Sequence, residues 1–358
     1  MDLIETGRPQ LILDEERCKR NINRMASKAK KHNLQFRPHF KTHQSLEIGN
    51  WFREAGVEAI TVSSVDMASY FASDGWNDIT IAFPFYPGQI SALTKLENTA
   101  QLRLFINKKD QISVLSENLL KPFHVIIEID PGFGRSGVHF NEHDQIDEII
   151  NECKSNALAN FHGFYIHDGR TYQCKGKKDI LDHIEPVINV LNTLKKEYPD
   201  SYCIMGDTPS CSVLEDFESI DVITPGNFVF YDWMQVKIGS CTIDDVALYC
   251  QVPIAQRLVN TNKAILHCGA VHLSKDSILM NGQRCFGQAV EFTNTKIKTI
   301  DNLFINSLSQ EHGIIIGNIH DMTTNSVMIC PIHSCLTANL HSHYLSTDGK
   351  IIEKRILS

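Results

Sequence analysis

A lysine set among histidines is the first feature of this sequence that could do chemistry. Lys41 lies in Arg37-Pro-His-Phe-Lys41-Thr-His43, between His39 and His43. A lysine after an apolar strand is more often a surface residue whose stem lies along apolar atoms while its ammonium reaches water. Here the neighbouring positive charge, with partial burial, would lower its pKa and leave a neutral amine able to attack an aldehyde. A second feature suits an anion. Gly206-Asp-Thr208-Pro-Ser210-Cys-Ser212 and Pro225-Gly226-Asn227 combine glycine with small hydroxyl residues. Backbone N–H groups there could approach a phosphate, with Thr208, Ser210 and Ser212 adding donors. Taken alone, the same residues make ordinary turns. The third feature is His333-Ser-Cys335. In an extended segment, residues two apart face the same side. An imidazole and a thiolate could then bind one ion, and that donor pair favours zinc over magnesium or manganese. Spacing alone fits a buried cysteine beside a structural histidine better.

These groups need elements to position them. Short apolar or β-branched runs fall at Leu34–Phe40, Ala59–Ser63, Asp78–Pro84, Leu102–Ile106, Phe123–Asp130, Ala159–His167, Tyr202–Gly206 and Asp221–Pro225. Stretches with helical apolar spacing lie before and between them, as in Ile22, Met25 and Ala29, in Gln145–Cys153, and in Ile180–Leu194. Strand alternating with helix implies parallel pairing through right-handed crossovers. Eight such units predict an α/β fold, a closed (β/α)8 TIM-like barrel. An open doubly wound sheet would call for a glycine-rich dinucleotide loop after the first strand, and none is there. In such a barrel, chemistry sits at the C-terminal strand ends. The Lys41 segment, Gly132-Phe-Gly-Arg135-Ser-Gly137, His167-Asp-Gly-Arg-Thr-Tyr172 and both anion loops all fall at that end. A lysine at strand 1 with a phosphate site at strands 7 and 8 is the layout pyridoxal phosphate needs. Beyond Asp232 the pattern becomes β-rich, in Val246–Val259, Lys263–Ser274, Ser326–Pro331 and Ile351–Leu357, with a hairpin turn expected at Ser346–Gly349. The reading is a barrel over residues 1–232, whose first residues are free to join the second domain, and a mostly β domain over 233–358.

The net charge of -8 argues against broad attraction to nucleic acid. The basic residues from Lys19 to Lys31 read as a solvated helix face. No run approaches the roughly 18 apolar residues of a membrane helix, and the first residues lack the pattern of a secretory leader. Eleven cysteines, an odd number with no CxxC, fit buried thiols in a cytoplasmic protein.

With these motifs in place, the chain resembles the D-serine dehydratase and D-threonine aldolase family, fold-type III pyridoxal-phosphate enzymes with a barrel of the alanine racemase N-terminal type. RPHFKTH is similar to the cofactor-lysine motif, EIDPGFGRSGV to the strand-5 motif, GDTPSCS to the phosphate loop and TPGNFVFYD to the strand-8 motif. HCGAVHLSKD, SQEHG and PIHSCLTANL are similar to segments of the β domain.

The resemblance implies that Lys41 carries the cofactor as a Schiff base. Thr208, Ser210, Gly226 and Asn227 would hold its phosphate, and Arg135, His167 and Tyr172 would line it. It also turns His333 and Cys335 into a site for zinc or another divalent cation, with His312 a candidate neighbour. The activity implied is β-elimination from a D-β-hydroxy amino acid, as in D-serine dehydratase, in a homodimer. Aldolase-type Cα–Cβ cleavage, racemisation and a non-catalytic cofactor carrier stay open.

Overall fold

Eight parallel strands line up in the order expected of a barrel. They are β1 (Gln35–Phe36), β2 (Ile60–Val62), β3 (Asp78–Pro84), β4 (Gln101–Phe105), β5 (Phe123–Asp130), β6 (Ala159–Ile166), β7 (Tyr202–Met205) and β8 (Val222–Ile223). This computed structural model describes residues 7–293, 296–321 and 324–356. β1 pairs with β8, and the order runs on through β7, β6, β5, β4 and β3 to β2. A parallel bridge between His39 and Thr61 closes the ring. All eight strands fall where the sequence placed them. β1 and β8 are the shortest, because Pro38 and Pro225 follow them and neither can donate to the ladder.

The strands read as continuous apolar runs because both faces are covered. Phe105, Ile126, Tyr165, Ile204 and Val222 fill the barrel interior, with Ala82 against them. At the N-terminal strand ends the filling is ionic. Asp78 accepts two hydrogen bonds from Arg37 and two from Arg103. The surrounding helices include α1 (Glu15–Lys31), α2 (His143–Ser155) and α3 (Lys177–Glu197). In α1 the buried residues Cys18, Ile22, Met25 and Ala29 form one stripe. Glu15 and Glu16 at its start and Lys28, Lys30 and Lys31 at its end complement the helix dipole.

The chain divides into two compact units, Arg24–Gly226, which holds the barrel, and Met1–Asn23 with Asn227–Ser358, so far as those residues are described. The second unit is built on β9 (Leu248–Leu258), β10 (Lys263–His267), β11 (Gly287–Thr293), β12 (Lys296–Leu308), β13 (His312–Ile316), β14 (Ser326–Pro331), β15 (His343–Ser346) and β16 (Ile351–Glu353). The order β10-β13-β12-β11-β14-β9 returns on itself, since β9 also pairs with β10. An apolar core that includes Cys250, Leu266, Ile305 and Ile329 fills this ring. The strand Gln10–Leu13 extends the sheet, antiparallel to β9 and parallel to β15. The turn at Ser346–Gly349 joins β15 to β16, with Gly349 at φ 89.

One strand expectation is corrected. Lys263–Ser274 is not β throughout: β10 stops at His267, and Ala270–Leu273 forms a short helix, α5. Gly269 makes the break, because a Cβ there would lie 2.0 Å from the Gln310 carbonyl oxygen. The expected strand Ile351–Leu357 ends at Glu353, and Leu357 lies outside the described residues. Among the described residues no helix is long and apolar enough to cross a membrane.

Candidate active site

Backbone hydrogen bonds fix the segment that carries Lys41. Phe40 N donates to Thr61 O at 2.8 Å, Thr61 N to Pro38 O at 2.9 Å, and His39 N to Pro225 O at 3.0 Å. Lys41 therefore follows directly on the ring closure, at the C-terminal end of the barrel. It is exposed, which corrects the expectation of partial burial. His39 is the buried member of the segment. Burial, reinforced by the charges of Lys41, His167 and Arg135, holds its pKa well below the usual range. Glu128 of β5 is buried and accepts from Ser136 Oγ at 2.8 Å. Arg135, half exposed, stands 3.5 Å from the same carboxylate.

The loops after β6 and β7 lock together. His167 Nδ1 donates to the Gly206 carbonyl. Burial pulls the His167 pKa down to about 4, so the ring is neutral at pH 7. Asp168, fully buried, accepts from Arg170 and from His183. Those bonds outweigh burial and keep its pKa low. They hold the turn Gly169–Gln173, in which Tyr172 is half-buried. Asp207 caps the short helix α4 (Thr208–Val213) by accepting from Ser210 N at 2.7 Å. Burial pushes the Asp207 carboxyl up to about 6.

The expected anion loops lie beside this cap. Ser210 is completely buried, and its Oγ has no hydrogen-bond partner among the described residues. Gly206 and Gly226 are required by close approach. A Cβ on Gly206 would lie 2.3 Å from Thr224 Oγ1 and 2.4 Å from the Tyr165 hydroxyl, and one on Gly226 would lie 2.9 Å from His39 O. Thr208 is buried in the same turn. Ser212, by contrast, donates its hydroxyl to Thr208 O at 2.6 Å.

The second unit gathers its own polar group. His333 is the extended residue before the helix α6 (Ser334–Asn339), and Cys335 lies in the first turn. The expected extended His-Ser-Cys segment is therefore corrected: a helix start, not a strand, brings the two side chains together. Burial works against a charged His333, but Asp276 and Cys335 outweigh it and hold its pKa up at about 11. Asn227 belongs to this group through its side chain. Its Nδ2 donates to Asp232 Oδ2 at 2.6 Å, Ser334 Oγ at 3.0 Å and Cys335 Sγ at 3.6 Å. His312 stands opposite His267 in the β10–β13 ladder. Sequence reasoning missed Asp276, whose Oδ2 lies 2.8 Å from His333 Nδ1. Its only signal was its place in HCGAVHLSKD. Among the described residues no three His, Cys, Asp or Glu side chains form a ready metal cage.

A closed parallel barrel with a lysine just after strand 1, followed along the chain by an antiparallel β unit, defines the alanine racemase-like class of fold. The chain belongs to the family described as alanine racemase, N-terminal domain, which it matches over residues 13–232. Residues 247–347 match the putative serine dehydratase domain. The chain is 25% identical to the D-serine dehydratase of Dictyostelium discoideum, over 98% of this chain and 96% of that protein. It is 24% identical to the D-threo-3-hydroxyaspartate dehydratase of Delftia sp. (strain HT23), over 98% and 97%. The solved structure of a cysteine-to-alanine mutant of D-threo-3-hydroxyaspartate dehydratase, in the metal-free form, superposes with TM-score 0.87 at 22% identity, covering 98% of each chain.

Proposed function

We propose that this protein is a pyridoxal-phosphate-dependent lyase that eliminates the β-hydroxyl from a D-β-hydroxy amino acid. The observation that carries the reading is the buried, unpartnered Ser210 Oγ beside two glycines that admit no Cβ, at the barrel end that presents Lys41. A phosphate fits such a cradle, because it satisfies the orphan hydroxyl and needs backbone at close range. When bound, pyridoxal phosphate supplies a sink for the electrons released as a bond to Cα breaks. Thr208, Ser210, Gly226 and Asn227 would hold its phosphate, and Arg135, His167 and Tyr172 would flank it. Neutral His167 would contribute no positive charge there at pH 7. Lys41 would anchor the cofactor and, once displaced by the substrate amine, take the Cα proton at Nζ.

His333 and Cys335 would hold zinc, or another divalent cation, which makes the β-hydroxyl a better leaving group. The donor set supports this, since a thiolate with an imidazole is a zinc-type pair. Cys335→Ala should abolish elimination while leaving the cofactor bound. Full activity in that variant would remove the metal from the reaction.

A second reading is aldolase-type Cα–Cβ cleavage, favoured by the 24% identity to a D-threonine aldolase of Arthrobacter sp over 49% of this chain. D-Threonine separates the two. The cofactor-loaded protein with zinc should yield 2-oxobutyrate and ammonia by elimination, whereas glycine and acetaldehyde would establish the aldolase. Inertness towards D-amino acids would leave a cofactor carrier. The proposal includes a cytoplasmic homodimer with no nucleic-acid or membrane partner, which light scattering and cell fractionation test.

A further inference from the structure

Asp276 is the carboxylate that meets His333, and it is delivered by unusual backbone. It follows α5, whose last turn is closed by Ser274 N donating to Ala270 O at 2.9 Å. Ser274 itself is held at φ 73, ψ -177, a conformation that a serine rarely adopts. Such strain persists only where surrounding contacts impose it. Here Asp276 N donates to Ser274 Oγ at 3.2 Å, and Lys275 Nζ donates to Leu308 O at 2.6 Å. Thr337 Oγ1 of α6 donates to Leu273 O at 3.1 Å, tying the loop to the helix that carries Cys335. The result is a fixed 2.8 Å contact between Asp276 Oδ2 and His333 Nδ1. His333 Nε2 is the nitrogen this contact leaves for another partner.

We infer that Asp276 is a positioning residue for the metal: its carboxylate accepts a hydrogen bond from the Nδ1–H of His333, sets the ring angle and leaves Nε2 as the ligating atom beside Cys335 Sγ. This rests on the zinc reading above. A carboxylate on the remote ring nitrogen fixes the tautomer and makes the ligating nitrogen more basic. A second carboxylate, Asp232, has a different task. It accepts from Ser334 N at 2.9 Å and from Asn227, and so holds the backbone of α6, while Asp276 holds the ring.

The test uses the full-length, cofactor-loaded protein stripped of metal, and the variants Asp276→Asn and Asp276→Glu. Zinc affinity is read by competition with a chelating dye, and ligand geometry by the thiolate and d–d absorption bands of added cobalt(II). Asp276→Asn should bind zinc roughly 10–100-fold more weakly and shift the cobalt bands, with unchanged cofactor absorbance. Asp276→Glu should recover part of the affinity. Equal zinc affinity and unshifted cobalt bands in Asp276→Asn would overturn the inference and leave the zinc reading standing. Parent protein that binds neither ion would overturn both.

Discussion

Replacing Asp78 by alanine should unfold the barrel unit easily while sparing its chemistry. Arg37 places Nη1 and Nη2 at 2.8 and 2.6 Å from the two Asp78 oxygens, and Arg103 places Nε and Nη2 at 2.9 and 3.0 Å. The side chains of Arg37 and Arg103 are only 4% and 10% exposed. Alanine would leave two buried guanidinium groups with no counter-charge. Breaking a buried pair costs about 3–5 kcal/mol, against about 0–1 kcal/mol for a surface pair. Asp78 is 25% exposed, so water can enter, and we expect the low end, about 3 kcal/mol. For a unit of this size that is roughly 6–12 °C in melting temperature. The two ion pairs hold the Asp78 pKa below the usual carboxylate range even though burial opposes them. Its stabilisation is therefore present above the unfolded value, about 3.9, and is lost as pH falls further. Parent and variant should converge progressively below about pH 4. Calorimetry at pH 7 and at acid pH, with cofactor absorbance recorded on the folded fraction, makes the test. A loss under about 1 kcal/mol at pH 7, or a fall in cofactor affinity as large as the fall in stability, would refute the reasoning.

Ser210→Ala keeps the backbone cap that Ser210 N makes to Asp207, so it should change the melting temperature little, yet it should weaken cofactor binding about tenfold, in keeping with one hydrogen bond to a charged group. Dialysis against free cofactor measures this. Gly206→Ala should do both kinds of damage, costing about 1–3 kcal/mol from overpacking and displacing the Tyr165 hydroxyl or Thr224; unchanged stability would mean the cradle is softer than described. His124, His162 and His167 have pKa values drawn down by burial to about 4, 3 and 4. The unfolded chain binds more protons than the fold between those values and about 6.5, so stability should be complete above about pH 6.5 and decline towards pH 4. His162→Gln should flatten that decline in a melting series across the window.

The barrel was legible because its strands are buried on both faces and read as uninterrupted apolar runs, as in Phe123–Asp130. The second unit was less so. β11 to β13 form successive hairpins, but polar residues such as Glu291, Asn302 and Asn306 and a register shift in each ladder break the two-residue alternation that announces a strand. Lys41, Arg135, His167 and the anion loops lie next to strand ends, which is why motif position placed them at one end of the barrel. Asp276 lies 57 residues from His333, on a loop whose course depends on the strained Ser274, and local spacing carries no trace of that contact. The exposure of Lys41 was equally hidden, since a short strand and a proline set how far the segment projects.

The strand Gln10–Leu13 has a consequence for how the protein is made. Its partners, β9 and β15, begin at Leu248 and His343. At about 5–20 residues per second, a ribosome needs roughly 12–47 s to travel from Leu13 to Leu248. By the end of that interval all eight barrel strands have been made and can pair among themselves, while an apolar strand with open hydrogen-bonding edges still waits unmatched in the nascent chain. Chaperone capture, and misassembly when translation stalls, should concentrate on those few residues.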